Sequence, residues 1–194
     1  MIMKKFLIIL LIIVGIVLLY GWTTYNKLVT RQENVTKAWS QVENVYQRRA
    51  DLVPNLVAVV KNYTEYEQGT LIAVTEARAK AANATVHTES FDEGEFASYE
   101  TAQKELDNTL NRLIVSVENY PDLKANENYL SLQAELAGCE NRIQTERKRF
   151  NEAAKTYNES LRRFPSNLIA KMFGFEKRPY FEASEGADVV PETF

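Results

Sequence analysis

The densest group of polar side chains in this sequence begins at Arg48 and ends at Leu56. Its guanidinium, carboxylate and amide groups can dock a partner protein or an anionic headgroup through charge-assisted hydrogen bonds. Two polar residues further along the chain are predicted to lie on the same helix interface. The candidate docking cluster therefore comprises Arg48, Arg49, Asp51, Pro54, Asn55, Glu140 and Arg147.

A structural role is the favoured interpretation of this cluster, and docking is the alternative. Proline has no amide hydrogen, so Pro54 leaves the carbonyl of Ala50 without its helical donor and is expected to kink the helix. Asp51 or Asn55 is expected to satisfy the freed backbone group.

Side chains that could perform catalysis are few. The chain has one histidine, His87, expected in a solvated loop, and one cysteine, Cys139, expected to be a packed hydrophobe. The sequence has neither a Gly-rich phosphate loop nor the Glu-x-x-His pairs typical of metal sites in helical proteins. We therefore predict no enzyme, no catalytic residue, no cofactor and no metal. The net charge of −3 argues against a nucleic-acid partner.

A hydrophobic segment precedes all of these groups. Residues 6–22 carry no charge, and the next three extend the segment to about twenty residues, enough to cross a hydrocarbon core of roughly 30 Å. Aromatic residues mark its end at Tyr20, Trp22 and Tyr25, as expected at a membrane interface. A cleaved signal peptide is the alternative, but no A-x-A-like site follows. We predict that residues 1–24 form a retained, single-pass anchor.

Most of the remaining chain shows apolar residues at alternating steps of four and three, a pattern typical of long packed helices. It predicts helices over residues 25–65, 67–84, 95–120 and 122–164. The helical pattern is weak between the first two of these helices, and a single unbroken helix over both is the alternative.

These lengths predict an all-α fold, in which the N-terminal transmembrane helix leads into an antiparallel, up-and-down four-helix bundle. Its first and last helices are long, at roughly 60 and 65 Å. Pairing them places Arg49 opposite Glu140, so we expect an ion pair inside the bundle.

Residues 165–194 are predicted to form a short amphipathic segment and a loosely ordered acidic tail. Ser166 is expected to cap a short helix that Gly174 ends. The favoured interpretation is that this helix packs against the base of the bundle. The alternative is that it lies in the membrane interface. The candidate interface residues are Leu168, Ile169, Met172, Phe173 and Phe175.

Several separated motifs resemble the LemA family. The first is Arg48-Arg49-x-Asp51-Leu52-x-Pro54-Asn55-Leu56. The others, in order, are Glu76-Ala77-Arg78, Tyr120-Pro121-x-Leu123-Lys124-Ala125, Glu140-Asn141-Arg142-Ile143, Arg147 with Phe150-Asn151, Tyr157-Asn158, and Phe164-Pro165-x-Asn167. The resemblance covers residues 25–183. It implies a bacterial membrane protein with an N-terminal anchor and an antiparallel helical bundle. It implies no activity and no catalytic residue, because the family has no agreed biochemical function.

Two classes of function follow. The first is a non-enzymatic scaffold that self-associates at the bacterial inner membrane, with its bundle on the periplasmic side. Faces outside the core could line such contacts, at Tyr66, Ala73, Ala79 and Ala82. The alternative is an adaptor or docking module for another envelope protein, such as a membrane protease or sensor. The expected partners are membrane lipid, further copies of the chain and a possible envelope protein.

Overall fold

Residues 2–62 and 68–182 are described in a computed structural model of the protein. Within them the only regular elements are six helices, so the predicted all-α class is confirmed. The bounds are α1 Ile2–Lys61, α2 Gln68–Asn83, α3 Glu93–Val117, α4 Pro121–Lys124, α5 Glu127–Arg162 and α6 Ser166–Met172.

The first helix is continuous over 60 residues, a length of about 90 Å. It contains one segment long and apolar enough to cross a membrane, and the side chains of that segment are exposed. From Thr24 and Leu28 onward, one face of α1 is buried against other helices. The helix continues through Pro54 without interruption. The predicted N-terminal apolar helix is thus present and joins the rest of the protein without a loop.

Two helix pairs, α1 with α5 and α2 with α3, dominate the packing. Near the apolar segment Gly21 faces Ile169, further along Trp39 contacts Phe150, and Arg49 then reaches Glu140. Successive residues of α1 therefore meet progressively earlier residues of the chain's second half.

The core has an aliphatic part and an aromatic part. The aliphatic part lies between α1, α2, α3 and the start of α5. In the aromatic part, Trp39 contacts five other rings at centroid distances of 5.1–6.0 Å. Such offset and edge-to-face contacts add to the free energy gained by burying the rings. The aromatic cluster comprises Trp39, Phe91, Phe96, Tyr99, Phe150 and Phe181.

Capping side chains move two helix boundaries from their predicted positions. Asp92 accepts hydrogen bonds from the amides of Gly94 and Glu95, so α3 begins earlier than expected. The predicted fourth helix is split into α4 and α5, because Asn126 accepts from the amide of Tyr129 at 3.1 Å and starts a new helix. Residues 63–67 lie outside the described residues, so the question of one continuous first helix stays open.

The loop before α3 is less polar than expected. Phe91 is 2% exposed and joins the aromatic cluster with a positive φ of 49°. His87 is exposed, as predicted, and its Nδ1 lies 2.8 Å from Glu95 Oε1. That carboxylate also accepts from the His87 amide, and both hydrogen bonds lower the pKa of Glu95.

The C-terminal short helix ends as expected but starts differently. Gly174 has a φ of 72°, and the amide of Phe175 donates to the carbonyl of Ala170 at 3.0 Å, which satisfies an end carbonyl of α6. Ser166 does not cap this helix. Its hydroxyl donates to the carbonyls of Ser160 and Arg163 instead.

Residues 175–182 form a non-helical segment, here called the strap, that packs along α5. Phe181 is 5% exposed and Arg178 is 4% exposed, so the expectation of a loosely ordered tail from residue 176 was wrong for this part. The rest of the predicted tail, residues 183–194, lies outside the described residues.

Candidate functional site

Arg49 is the centre of the polar contacts between helices. Its side chain is 4% exposed, and Nη1 lies 3.5 Å from Glu140 Oε2, so the expected ion pair is confirmed. The same nitrogen lies 3.3 Å from Asp107 Oδ1 on α3. Nη2 donates to the carbonyl and side-chain oxygens of Gln103, at 3.0 and 3.2 Å. One side chain thus joins α1, α3 and α5.

The two carboxylates around Arg49 are only partly buried. The side chain of Asp107 is 44% exposed and that of Glu140 is 41% exposed. Burial raises the pKa of Asp107, Arg49 lowers it and the neighbouring Glu140 raises it further. Despite the nearby guanidinium, burial thus makes the charged form of Asp107 less favourable in the folded protein than in a free aspartate side chain.

The backbone group freed by Pro54 is satisfied from another helix. Arg78 Nε on α2 donates to the Ala50 carbonyl at 3.1 Å. The expectation that Asp51 or Asn55 would do this was wrong. Asp51 instead accepts from Gln47 within the same helix, and Asn55 is exposed. A distant motif of the sequence supplies the missing donor.

The predicted docking cluster is therefore divided. Arg49 and Glu140 meet in the interior, whereas Arg48 makes a contact of 3.9 Å with Glu135 on an exposed face. Ion pairs of this exposed kind contribute little to stability. A docking role for the exposed members stays a prediction.

Arg147 belongs to a second polar group that holds the strap. Its Nη2 lies 3.0 Å from Glu100 Oε1, and both side chains are mostly buried, at 13% and 14% exposed. The same nitrogen donates to the Glu182 carbonyl at 3.0 Å. Its guanidinium also lies 4.6 Å from the Phe181 ring centroid, which is a cation–π distance.

Two asparagines of α5 bind the strap backbone in the same way. Asn151 donates to the carbonyl of Phe181 and accepts from its amide, both at 2.9 Å. Asn158 does the same for Arg178, at 2.8 and 2.9 Å. The asparagines are two helical turns apart, so they face the same side of α5. Asn158 also donates to the Tyr180 hydroxyl at 3.0 Å, so this side of the helix binds the strap mainly, but not solely, through its backbone.

Arg178 reaches back from the strap to the loop before α3. Its Nη1 and Nη2 donate to the carbonyls of Ser90 and Glu89, at 2.9 and 3.2 Å. Its guanidinium lies 4.9 Å from the ring centroid of Phe91. The strap therefore joins α5 to a loop almost ninety residues earlier in the chain.

The five candidate interface residues separate into two groups. Ile169 and Phe175 are half-buried against neighbouring elements, as the favoured interpretation expects. Leu168, Met172 and Phe173 are 57%, 68% and 55% exposed, as the interface alternative expects. The helix presents both a packed face and an open apolar face.

Among the described residues, no group of three or more His, Cys, Asp or Glu side chains could hold a metal ion. Cys139 is 2% exposed, which agrees with its predicted role as a packed residue.

Known proteins share the sequence pattern of this chain. The profile of the LemA family matches residues 38–193. The chain belongs to the LemA family.

Relatives outside this chain agree with that assignment. Magnetosome protein MamQ 2 of Paramagnetospirillum magneticum is 27% identical over 199 residues, spanning 88% of this chain and 70% of the relative. Magnetosome protein MamQ of Magnetospirillum gryphiswaldense is 26% identical over 190 residues, with the same coverage. Protein LemA of Metamycoplasma hominis is 26% identical over 160 residues, spanning 82% of this chain and 69% of the relative. LemA-family membership and these relatives indicate a membrane-associated helical protein, and they are not known as enzymes.

Two important residues of this LemA-family site were missed in the sequence. Gln103 occupies a position of the α3 apolar stripe, between Tyr99 and Leu106, and a polar residue there is the same signal that identified Arg49. Arg178 had no such signal, because the strap has no helical period against which a buried arginine stands out.

Proposed function

We propose that this chain is a non-enzymatic, single-pass scaffold that self-associates at the bacterial inner membrane, with its helices on the periplasmic side. The observation that carries the proposal is α1, which joins the apolar segment to the rest of the protein without a break. Copies held at the same angle to a bilayer can meet through the same faces, which is a condition for symmetric assembly.

The proposed bundle is an antiparallel, up-and-down four-helix arrangement of α1, α2, α3 and α5. In its support, Trp39 meets Phe150 while the later residue Arg49 meets the earlier residue Glu140. Likewise the Ala81 carbonyl accepts from Gln103, while the earlier residue Lys80 lies 2.7 Å from the later residue Glu105.

A second face of α2 supports self-association. One face of this helix is buried, with Val74, Ala77 and Ala81 in the core. Another face is exposed and carries small or apolar residues at steps of three and four, namely Ile72, Thr75, Ala79 and Ala82. Such spacing forms a seam that a helix of a second copy can fill. Of the other predicted contact residues, Ala73 is half-buried and Tyr66 lies outside the described residues.

Cysteine cross-linking tests this proposal in the native membrane. The natural Cys139 is buried, so Ala79→Cys introduces the reactive thiol of interest. We expect mild oxidation to convert this variant to a covalent dimer. The matched control is Thr101→Cys, on an exposed position of α3, which we expect to stay monomeric. Equal cross-linking of both variants, or of neither, contradicts the α2 seam.

The mass of the gently extracted, full-length protein gives an independent measurement. A homogeneous particle containing several copies of this chain supports the scaffold. A monomer carrying a stoichiometric second protein favours the adaptor.

One observation favours the adaptor as the second candidate. A groove of about 780 Å³ lies between α5 and the strap. Its walls carry charges of both signs, beside the asparagines that bind strap backbone. The basic side chains are Arg147, Lys148, Lys155 and Arg162, and the acidic ones are Glu152, Glu159 and Glu182. A groove lined by charges of both signs can take an extended polar segment of a partner protein.

A further inference from the structure

A small pocket lies where the apolar segment of α1 ends, between α1 and the turn that follows α5. Its volume is about 230 Å³. Among the described residues, three basic side chains line it, Lys27, Arg31 and Arg163, and no carboxylate does. Tyr20 and Phe164 complete the apolar part of the wall. We call this the membrane-end pocket.

The positive charge of this pocket is largely uncompensated. Among the described residues, Lys27 and Arg31 have no hydrogen-bond or ion-pair partner through their side chains. Arg163 pairs with Glu159 at 3.1 Å, but both side chains are largely exposed, at 73% and 46%. An exposed pair of this kind is weak and leaves the guanidinium available to a stronger anion.

The helix geometry directs these cations towards the apolar segment. Tyr20, Thr24, Lys27 and Arg31 follow one another at steps of four and three, so they share a face of α1. Side chains of a helix slant towards its N-terminus, which here is the apolar end. The Lys27 Cα lies only about 7.5 Å beyond that of Trp22 along the helix axis. A lysine at this depth reaches the headgroup layer of a bilayer.

An exposed apolar residue lines the pocket, and others follow it in the chain on α6. Phe164 is 81% exposed, and Leu168 and Met172 on α6 are also exposed. The pocket therefore offers basic groups for a phosphate with apolar surface beside them for acyl chains.

We propose that the membrane-end pocket binds the phosphodiester headgroup of an anionic phospholipid. Lys27, Arg31 and Arg163 donate to the phosphate oxygens, while Phe164 and the open face of α6 contact the upper part of the acyl chains. This inference rests on the proposed membrane anchoring but not on self-association. It assigns the open face of α6 to lipid rather than to protein.

Native mass spectrometry of the full-length protein in mild detergent tests the pocket, with phosphatidylglycerol and phosphatidylcholine as probes. The test variant is Lys27→Gln/Arg31→Gln/Arg163→Gln. The control variant, Lys61→Gln/Arg112→Gln/Arg142→Gln, removes the same charge from exposed positions that do not line the pocket. We expect wild type and control to retain one phosphatidylglycerol, and each charge removed from the pocket to weaken retention about fivefold.

Three results would overturn the proposal. They are equal phosphatidylglycerol retention by test and control variants, equal retention of phosphatidylcholine by wild type, and displacement of the lipid by glycerol 3-phosphate, which would identify a soluble phosphate site instead. If the triple variant does not fold, the single variant Lys27→Gln takes its place in the same measurement, because Lys27 is exposed.

An alkaline wash of the membranes distinguishes failure of the proposed anchor from failure of the proposed lipid pocket. A chain released by the wash contradicts both the anchor and the pocket. A chain that stays in the membrane but does not discriminate between the lipids contradicts the pocket alone.

Discussion

The Arg49 side chain shows how much of the packing between helices depends on single polar groups. Replacing it by methionine keeps most of its volume but leaves Gln103 and two carboxylates without their donor. We expect Arg49→Met to lower the free energy of unfolding by about 2–3 kcal/mol, because the buried Gln103 loses its donor, whereas the two carboxylates are partly exposed and can recover some hydration. Urea denaturation followed by circular dichroism measures this.

Glu140→Gln is the informative comparison for that variant. Its side chain is 41% exposed and lies 3.5 Å from Arg49, so we expect a loss of less than about 1 kcal/mol. If both variants lower the free energy of unfolding by the same amount, the ion pair with Glu140 accounts for the stabilisation, and the other contacts of Arg49 add little.

Asp107 gives the protein a pH dependence of known sign. Its pKa is raised above 3.8 in the folded state, so folding favours the protonated form. The stability it contributes is present below the unfolded pKa and is lost as the pH rises through the folded pKa. We therefore expect Asp107→Asn to raise the free energy of unfolding at pH 7 by less than about 1 kcal/mol, and thermal unfolding of this variant and wild type measures the difference. The difference should disappear below about pH 3.8, and its persistence there would contradict the titration as the cause.

The sequence predicted which side chains meet only where both residues of a pair lie on the apolar stripe of a helix. Arg49 and Glu140 interrupt apolar stripes of paired helices, so their meeting could be deduced. The donor to the Ala50 carbonyl could not, because Arg78 lies half-buried beside the α2 stripe, at a position where a basic residue is ordinary.

At the scale of the helices, the roles of Pro54 and Arg78 depend on each other, because Arg78 supplies the hydrogen bond that Pro54 cannot make. In a Pro54→Ala variant, residue 54 regains an amide that can donate to the Ala50 carbonyl. Loss of the Arg78 donor should then matter less. We expect Arg78→Met to cost about 1 kcal/mol more in the wild-type background than in the Pro54→Ala background. Thermal unfolding of the four variants in this double-mutant cycle gives the coupling energy, and additive costs would exclude it.

The strap depends on α5 for its position. Asn151→Ala together with Asn158→Ala removes the side chains that bind the backbone of Phe181 and Arg178. We expect hydrogen exchange at those two amides to become at least tenfold faster, because each substitution removes two hydrogen bonds to the strap backbone, worth about 1 kcal/mol each.

The control for the strap is Asn141→Ala, an exposed asparagine of the same helix. Unchanged exchange in the double variant would mean that aromatic packing alone holds the strap. Mass spectrometry of peptic fragments that contain residues 178–181 reports the result.

Heptad spacing located the long helices, because burial of one face sets their period. It did not show the break before α5, where the local capping of Asn126 competes with helix continuation. Nor did it show the strap, whose position comes from side chains of α5 and from Phe181 filling the aromatic cluster. Those contacts are tertiary and leave no period in the strap itself.

For the whole molecule, burial separates the apolar segment from the folded part. Side chains 3–19 are exposed, and the packed face of α1 begins near Thr24. We expect deletion of residues 2–19 to leave the thermal midpoint within about 4 °C of the full chain in the same detergent. The deleted chain should also leave the membrane fraction. A much larger loss of stability would show that the segment contributes to the fold as well as to anchoring.

The unbroken α1 has a mechanical consequence. A helix that is continuous from the apolar segment into the folded part couples the tilt of one end to the position of the other, so it works as a lever. From Trp22 to Lys61 its arm is about 58 Å long. With residues 6–22 in a bilayer, a tilt of roughly 10° displaces the far tip sideways by about 10 Å. A change in bilayer thickness is thus converted into a large movement at the opposite end of the molecule.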